Sequence, residues 1–138
     1  MGLAERRAAK DFETRRLPEL QKQIDAAAGF EVPLEMKWET IAQDGYANDY
    51  DMFFTNVYFK PLVQALQAIA VDDMGKEALK GALKKVIVQN TKENGNPFDM
   101  PSFANGVLTL DHSPSSNWSD MNVSGRVRAI QEMLEKHL

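Results

Sequence analysis

Apolar side chains recur along this chain at two periods, one near 3.6 residues and one of two, and the switches between them lay out its elements. Leu17, Leu20, Ile24 and Ala27/Ala28 form one apolar stripe, which predicts a helix. Pro18 suits the first turn of that helix and Gly29 its end. Residues 4–16 keep helix-forming residues but are densely charged, with Phe12 the only large apolar side chain. Residues 1–16 therefore read as a charged helical extension, kinked at Pro18.

The period then changes. Phe30, Val32, Leu34, Met36 and Trp38 alternate with Glu31, Pro33, Glu35, Lys37 and Glu39. Alternation over that length predicts a half-buried strand, and Pro33, which has no N–H to donate, puts it at a sheet edge or bends it at that point. A polar connection over 40–48 leads to the aromatic stretch Tyr46, Tyr50, Phe53, Phe54, Tyr58 and Phe59. Asn48 or Asp49 is placed to cap a helix running to about Tyr58, and Pro61 is expected to break or restart it. Leu62, Leu66 and Ile69 continue with helical spacing, and Asp72 or Asp73 caps a further helix carrying Met74, Leu79, Leu83 and Val86.

KVIVQNT, rich in β-branched residues, reads as a strand. After the loop KENGNPFDMP, Asn105-Gly106 between β-type residues marks a hairpin over 102–112. A polar loop, SPSSNWSD, precedes a last helix with its stripe at Val123, Val127, Ile130, Leu134 and Leu138. The order is α-β-α-α-β-β-β-α. It predicts an α+β fold in one domain over 1–138, with an antiparallel sheet of three to four strands packed on one face by helices.

Composition narrows the chemistry. The 138 residues include no cysteine, which excludes disulfides, zinc–thiolate centres and thiol nucleophiles and favours a reducing compartment. No segment has the run of ~20 apolar residues that a membrane span needs, and the N-terminal stretch lacks the apolar core of a signal peptide. A cytoplasmic location follows as the expectation. The net charge of −4 argues against nucleic acid as a partner. Charge is unevenly placed: Glu31 to Asp51 holds six acids and one base, and Lys76 to Lys85 holds four lysines and one acid.

No motif specifies a reaction. Asp111, His112 and the serines after it have the residue types of a triad, but neighbours on a strand point to opposite faces, so Asp111 is badly placed to orient His112. Asp44, Asp49 and Asp51 lack the ligand spacing of a calcium loop, and DDMGKEALKG lacks the upstream glycine and the Ser/Thr of a phosphate loop. The readings are accordingly no catalytic residue, no metal and no cofactor.

Three features remain. Lys76, Lys80 and Lys84 recur every four residues and line one face of a helix. Phe53, Phe54 and Trp118 are candidates for an interaction surface, since DYDMFFTNVYF is apolar on nearly every side. Trp38, Tyr46, Tyr50, Tyr58 and His112 are candidates to line a ligand pocket. The expectation is a small, non-enzymatic, bacterial-type cytoplasmic protein acting by protein–protein contact or self-association, a homodimer being the commonest form. The alternative is a small-molecule binding domain with an aromatic and acidic pocket between helices and sheet.

Overall fold

A computed structural model describes all of residues 1–138. Its sheet has four strands: β1 (Leu34–Met36), β2 (Lys85–Gln89), β3 (Pro101–Ala104) and β4 (Val107–Asp111), in the spatial order β1-β2-β4-β3. β1 and β2 are parallel, β2 and β4 are parallel, and only β3 and β4 form an antiparallel pair. The sheet is therefore mixed, and the expectation of an antiparallel sheet is corrected. Side-chain alternation records which face is buried but says nothing of strand direction. Direction follows from the connections: all the helices between β1 and β2 form a crossover, which returns the chain parallel to itself.

The hairpin is as the sequence predicts. Asn105 and Gly106 sit at φ 55° and 81°, the left-handed conformations a tight two-residue turn requires. β1 and β3 are the edges, which agrees with Pro33 lying just before β1. The β1 ladder is short, however. Trp38 opens a single-turn helix, α3 (Trp38–Ile41), so the long alternation over 30–39 yields only three strand residues.

The first helical rod consists of α1 (Leu3–Asp11) and α2 (Leu17–Ala28), joined without a break by a π-turn at Phe12–Arg16. The second consists of α4 (Tyr50–Phe54) and α5 (Lys60–Ile69), joined by a π-turn at Thr55–Phe59. In each rod a proline, Pro18 or Pro61, lies just after the π-turn. Proline supplies no i→i−4 donor and its ring crowds the preceding turn, and the wider π-turn absorbs both effects. The breaks expected at these prolines are thus replaced by continuous helices. Residues 1–16 are not merely a solvated extension either, because Ala9 and Phe12 are buried.

α6 (Asp73–Ala82) is capped by Asp72, whose carboxylate accepts from the Gly75 N–H at 2.8 Å. α7 (Val123–Glu135) ends the chain's regular structure. One sheet face, carrying Val86, Val88, Leu108 and Leu110, is buried in a single core with Leu62, Leu66, Ile130 and Leu134 from α5 and α7. The other face is not covered by helices. It carries half-exposed Ile87, Gln89 and Thr109, and Glu35 paired with both Lys37 and Lys85. Those two ammonium groups hold the Glu35 carboxyl down at about 2.

Candidate functional site

The parallel strands end along one edge, so the loops after β2 (90–99) and β4 (112–119) meet there. In sheets with parallel strands this carboxyl edge is where ligands generally bind. The two loops are tied together. The Ser113 N–H donates to the Asn94 carbonyl at 2.8 Å, and Asn117 Nδ2 donates to the Gly95 carbonyl at 2.5 Å.

Beneath them lies a buried polar cluster. Tyr58, His112 and Arg126 are each 0% exposed. The Tyr58 hydroxyl donates to the His112 carbonyl at 2.5 Å. Arg126 Nη2 lies 3.2 Å from His112 Nε2 and 3.1 Å from the Ser116 carbonyl. A guanidinium only donates, so Nε2 must accept, and the proton sits on Nδ1, which donates to the Ser113 carbonyl at 2.7 Å. Burial, reinforced by the Arg126 charge, holds His112 down at about 4. Burial likewise lowers Arg126 to about 10 and pushes Tyr58 well above its ordinary range. No acid lies within ion-pair distance of Arg126, and its Nε has no partner.

Asp111 faces the other way. Burial raises its carboxyl, but donation from the Thr91 hydroxyl (2.5 Å), the Thr91 N–H (2.9 Å) and Gln89 Nε2 (3.0 Å) outweighs burial and leaves the group below its usual range. The opposed directions of Asp111 and His112 are those expected of neighbours on a strand. No carboxylate from Asp44, Asp49 or Asp51 hydrogen-bonds His112, whose side-chain partners are Ser113 and Arg126. The cluster pins the β4 exit to α4/α5 and α7, and a substrate has no open path to the imidazole.

The residues expected to line one pocket are dispersed. Trp38 packs on Phe12 and Phe54, and its Nε1 donates to Glu13 at 3.0 Å. Tyr50 is buried and stacked on Phe54 at 4.9 Å, and its hydroxyl donates to the Gln43 carbonyl. Burial raises that hydroxyl to about 12. Tyr58 and His112 belong to the buried cluster described above. Trp38 borders a groove of about 170 Å³ with Arg6, Ala9, Lys10 and Glu13, below the ~300–1,000 Å³ of ordinary ligand sites.

Of the residues expected on an interaction surface, Phe53 and Phe54 are buried, at 4% and 0% exposure. The helix that carries them is enclosed on nearly every side, so its excess of rings fills the core. Lys76 and Lys80 are exposed on α6, and Lys84 lies just beyond its end, with Nζ donating to the Lys80 carbonyl at 3.4 Å.

Tyr46 and Trp118 do come together. Both rings pack on Phe53, at 5.6 and 5.5 Å, and both are exposed, at 41% and 36%. Asn56 fixes the Trp118 segment, because its Nδ2 donates to the Trp118 carbonyl at 3.0 Å and to Asp120 Oδ1 at 3.1 Å. Met52, 40% exposed, precedes Phe53 on α4. The result is an aromatic ledge at the carboxyl edge, seated on a buried ring.

Arg126 was missed by the sequence reading. A signal for it exists, since it stands three residues after Val123 and four before Ile130, on the apolar stripe of α7, where an arginine has to be buried.

The fold and its ledge define a small α+β protein with a mixed sheet covered by helices on one face. Comparisons with protein-family models, curated proteins and solved structures return no match. What the chain does is therefore read from its own geometry.

Proposed function

We propose that this chain is a non-enzymatic binding protein that acts through protein–protein contact, with the Tyr46–Trp118 ledge as its contact surface. The observation that carries this reading is the pair of exposed rings, drawn from separate loops and both packed on buried Phe53. Tyrosine and tryptophan offer large contact areas with few rotatable bonds, and they dominate binding energy at protein interfaces. The reactive side chains support the same reading: His112, Tyr58 and Arg126 are fully covered and bonded to one another or to backbone.

A different protein fits this surface better than a second copy. A two-fold dimer through the ledge would set the patch of Asp49, Glu93 and Asp120 against the same patch of the other copy, and like charges would oppose it.

The test is a photo-activated crosslinking residue installed at Tyr46 or Trp118 in host cells, with Lys80 and Glu132 as exposed controls. The same heavier species is expected from both ledge positions and from neither control. Equal capture at all four positions, or only a species of twice the chain's mass, rejects the reading.

A further inference from the structure

We propose that the ledge takes a cationic segment of its partner, with arginine side chains laid on Tyr46 and Trp118. The inference rests on the reading above and adds the partner's chemistry to it.

Carboxylates lie close to the ledge. Asp120 shares the Asn56 amide with the Trp118 carbonyl. The Asp49 N–H donates to the Tyr46 carbonyl at 2.9 Å, so Asp49 sits one turn from the ring. Glu93 accepts from Asn90 Nδ2 at 3.0 Å and from Gln43 Nε2 at 3.3 Å, and the Gln43 carbonyl in turn accepts from the Tyr46 N–H.

None of these three carboxylates is in an ion pair. The chain's ion pairs involve Asp51, Glu35, Glu13, Glu19 and others, but not Asp49, Glu93 or Asp120. Glu93 and Asp120 are instead held by neutral amides, which fix their position without cancelling their charge. Partly exposed rings beside fixed carboxylates that are outside any ion pair suit a guanidinium. It stacks flat on an aromatic face and donates two parallel N–H bonds to a carboxylate, which a lysine ammonium does not do.

Two of the chain's own cations lie near the ledge, Lys92 next to Glu93 and the Met1 ammonium 3.9 Å from Asp44, but neither is in an ion pair with Asp49, Glu93 or Asp120, and the lysine line is elsewhere. Lys84 and Lys85 stand at the entry to β2, beside Gly106 at the entry to β4, and Lys84 follows the line of Lys76 and Lys80. These are the amino ends of the parallel strands, so the lysines occupy the opposite end of the sheet from the ledge.

Three labelled peptides of equal length test this on the full chain: alternating arginine and glycine, lysine and glycine, and glutamate and glycine. Binding is read by fluorescence anisotropy and by Trp118 emission in a Trp38→Phe background. The arginine peptide is expected to bind saturably and about threefold or more tighter than the lysine peptide. Trp118→Ala should weaken it about tenfold, and Glu93→Gln with Asp120→Asn should weaken it several-fold. Tyr46→Ala serves as a second ring deletion, and unchanged circular dichroism establishes that each variant is folded.

Binding no tighter than that of the glutamate peptide overturns the proposal. So does arginine binding indifferent to both ring deletions, which would be charge attraction alone. If the peptides fail while ledge-specific crosslinks persist, the cationic partner is wrong and the protein-binding reading stands. If the crosslinks also fail, both fall.

Discussion

His112 has no exposed surface, and the guanidinium of Arg126 lies 3.2 Å from its Nε2. Protonating the ring would remove the acceptor and set two cations against each other without solvent. The folded state therefore keeps His112 neutral down to about 4, whereas the unfolded imidazole takes its proton near 6.5. The sign follows from proton counting: between those values the unfolded chain binds more protons, so stability falls as pH falls. It is intact above pH 6.5 and declines towards pH 4, by about 3 kcal/mol in all. Glu35, with its depressed carboxyl at about 2, acts at lower pH, between 4.5 and 2. Urea unfolding at a series of pH values checks this. The midpoint should drop between pH 6.5 and 4.5 in the native sequence, and the slope should largely vanish in His112→Gln. At this scale the sequence showed that Asp111 and His112 point apart, because strand geometry is local. It did not show that Arg126 is the partner of His112, since the two meet only when α7 packs beside the β4 exit.

Phe54 is 0% exposed and has ring contacts with Phe12, Trp38, Tyr50 and Tyr58. These contacts join the two long helical rods near their π-turns, where Phe12 also stacks on Phe59 at 5.9 Å. Phe54→Ala would leave a cavity among rings that cannot collapse far, at a cost of about 3–5 kcal/mol. Met52→Ala, one turn-face away and 40% exposed, should stay within about 0.5 kcal/mol. Chemical denaturation of the pair separates core from surface on one helix. Most elements were legible in the sequence: the stripe of α2, the Asp72 cap, the β-branched β2, and the Asn105-Gly106 turn. Continuity across Pro18 and Pro61 was not, because a proline's effect depends on whether neighbouring packing stabilises a π-turn before it. The length of β1 was also hidden. Alternating side chains show which way residues face, but not where a partner strand stops.

Across the whole molecule, Lys84 and Lys85 stand at the amino end of the parallel strands, and Asp49, Glu93 and Asp120, outside any ion pair, stand towards the carboxyl end, where Lys92 also lies. On the proposed reading, these three carboxylates draw a cationic partner towards the ledge. If the ledge works as proposed, association with the arginine peptide should slow steeply as salt rises from about 0.05 to 0.5 M, because the Debye length shrinks to a few ångström. Dissociation, governed by ring contact, should change much less. Stopped-flow anisotropy measures both rates. The lysine line was visible in the sequence, but the place of Lys84 and Lys85 at the far end of the sheet from Asp49, Glu93 and Asp120 depended on strand direction.

Local periodicity, caps and turn residues sufficed to locate the longer helices and the hairpin, but not the single-turn helix α3. These are properties of neighbouring residues, and side-chain spacing encodes them directly. Strand direction, the burial of Phe53 and Phe54, the His112–Arg126 contact and the packing of both Tyr46 and Trp118 on Phe53 were decided by tertiary structure. Each joins residues far apart in the chain, and only the packing of layers brings such residues within contact.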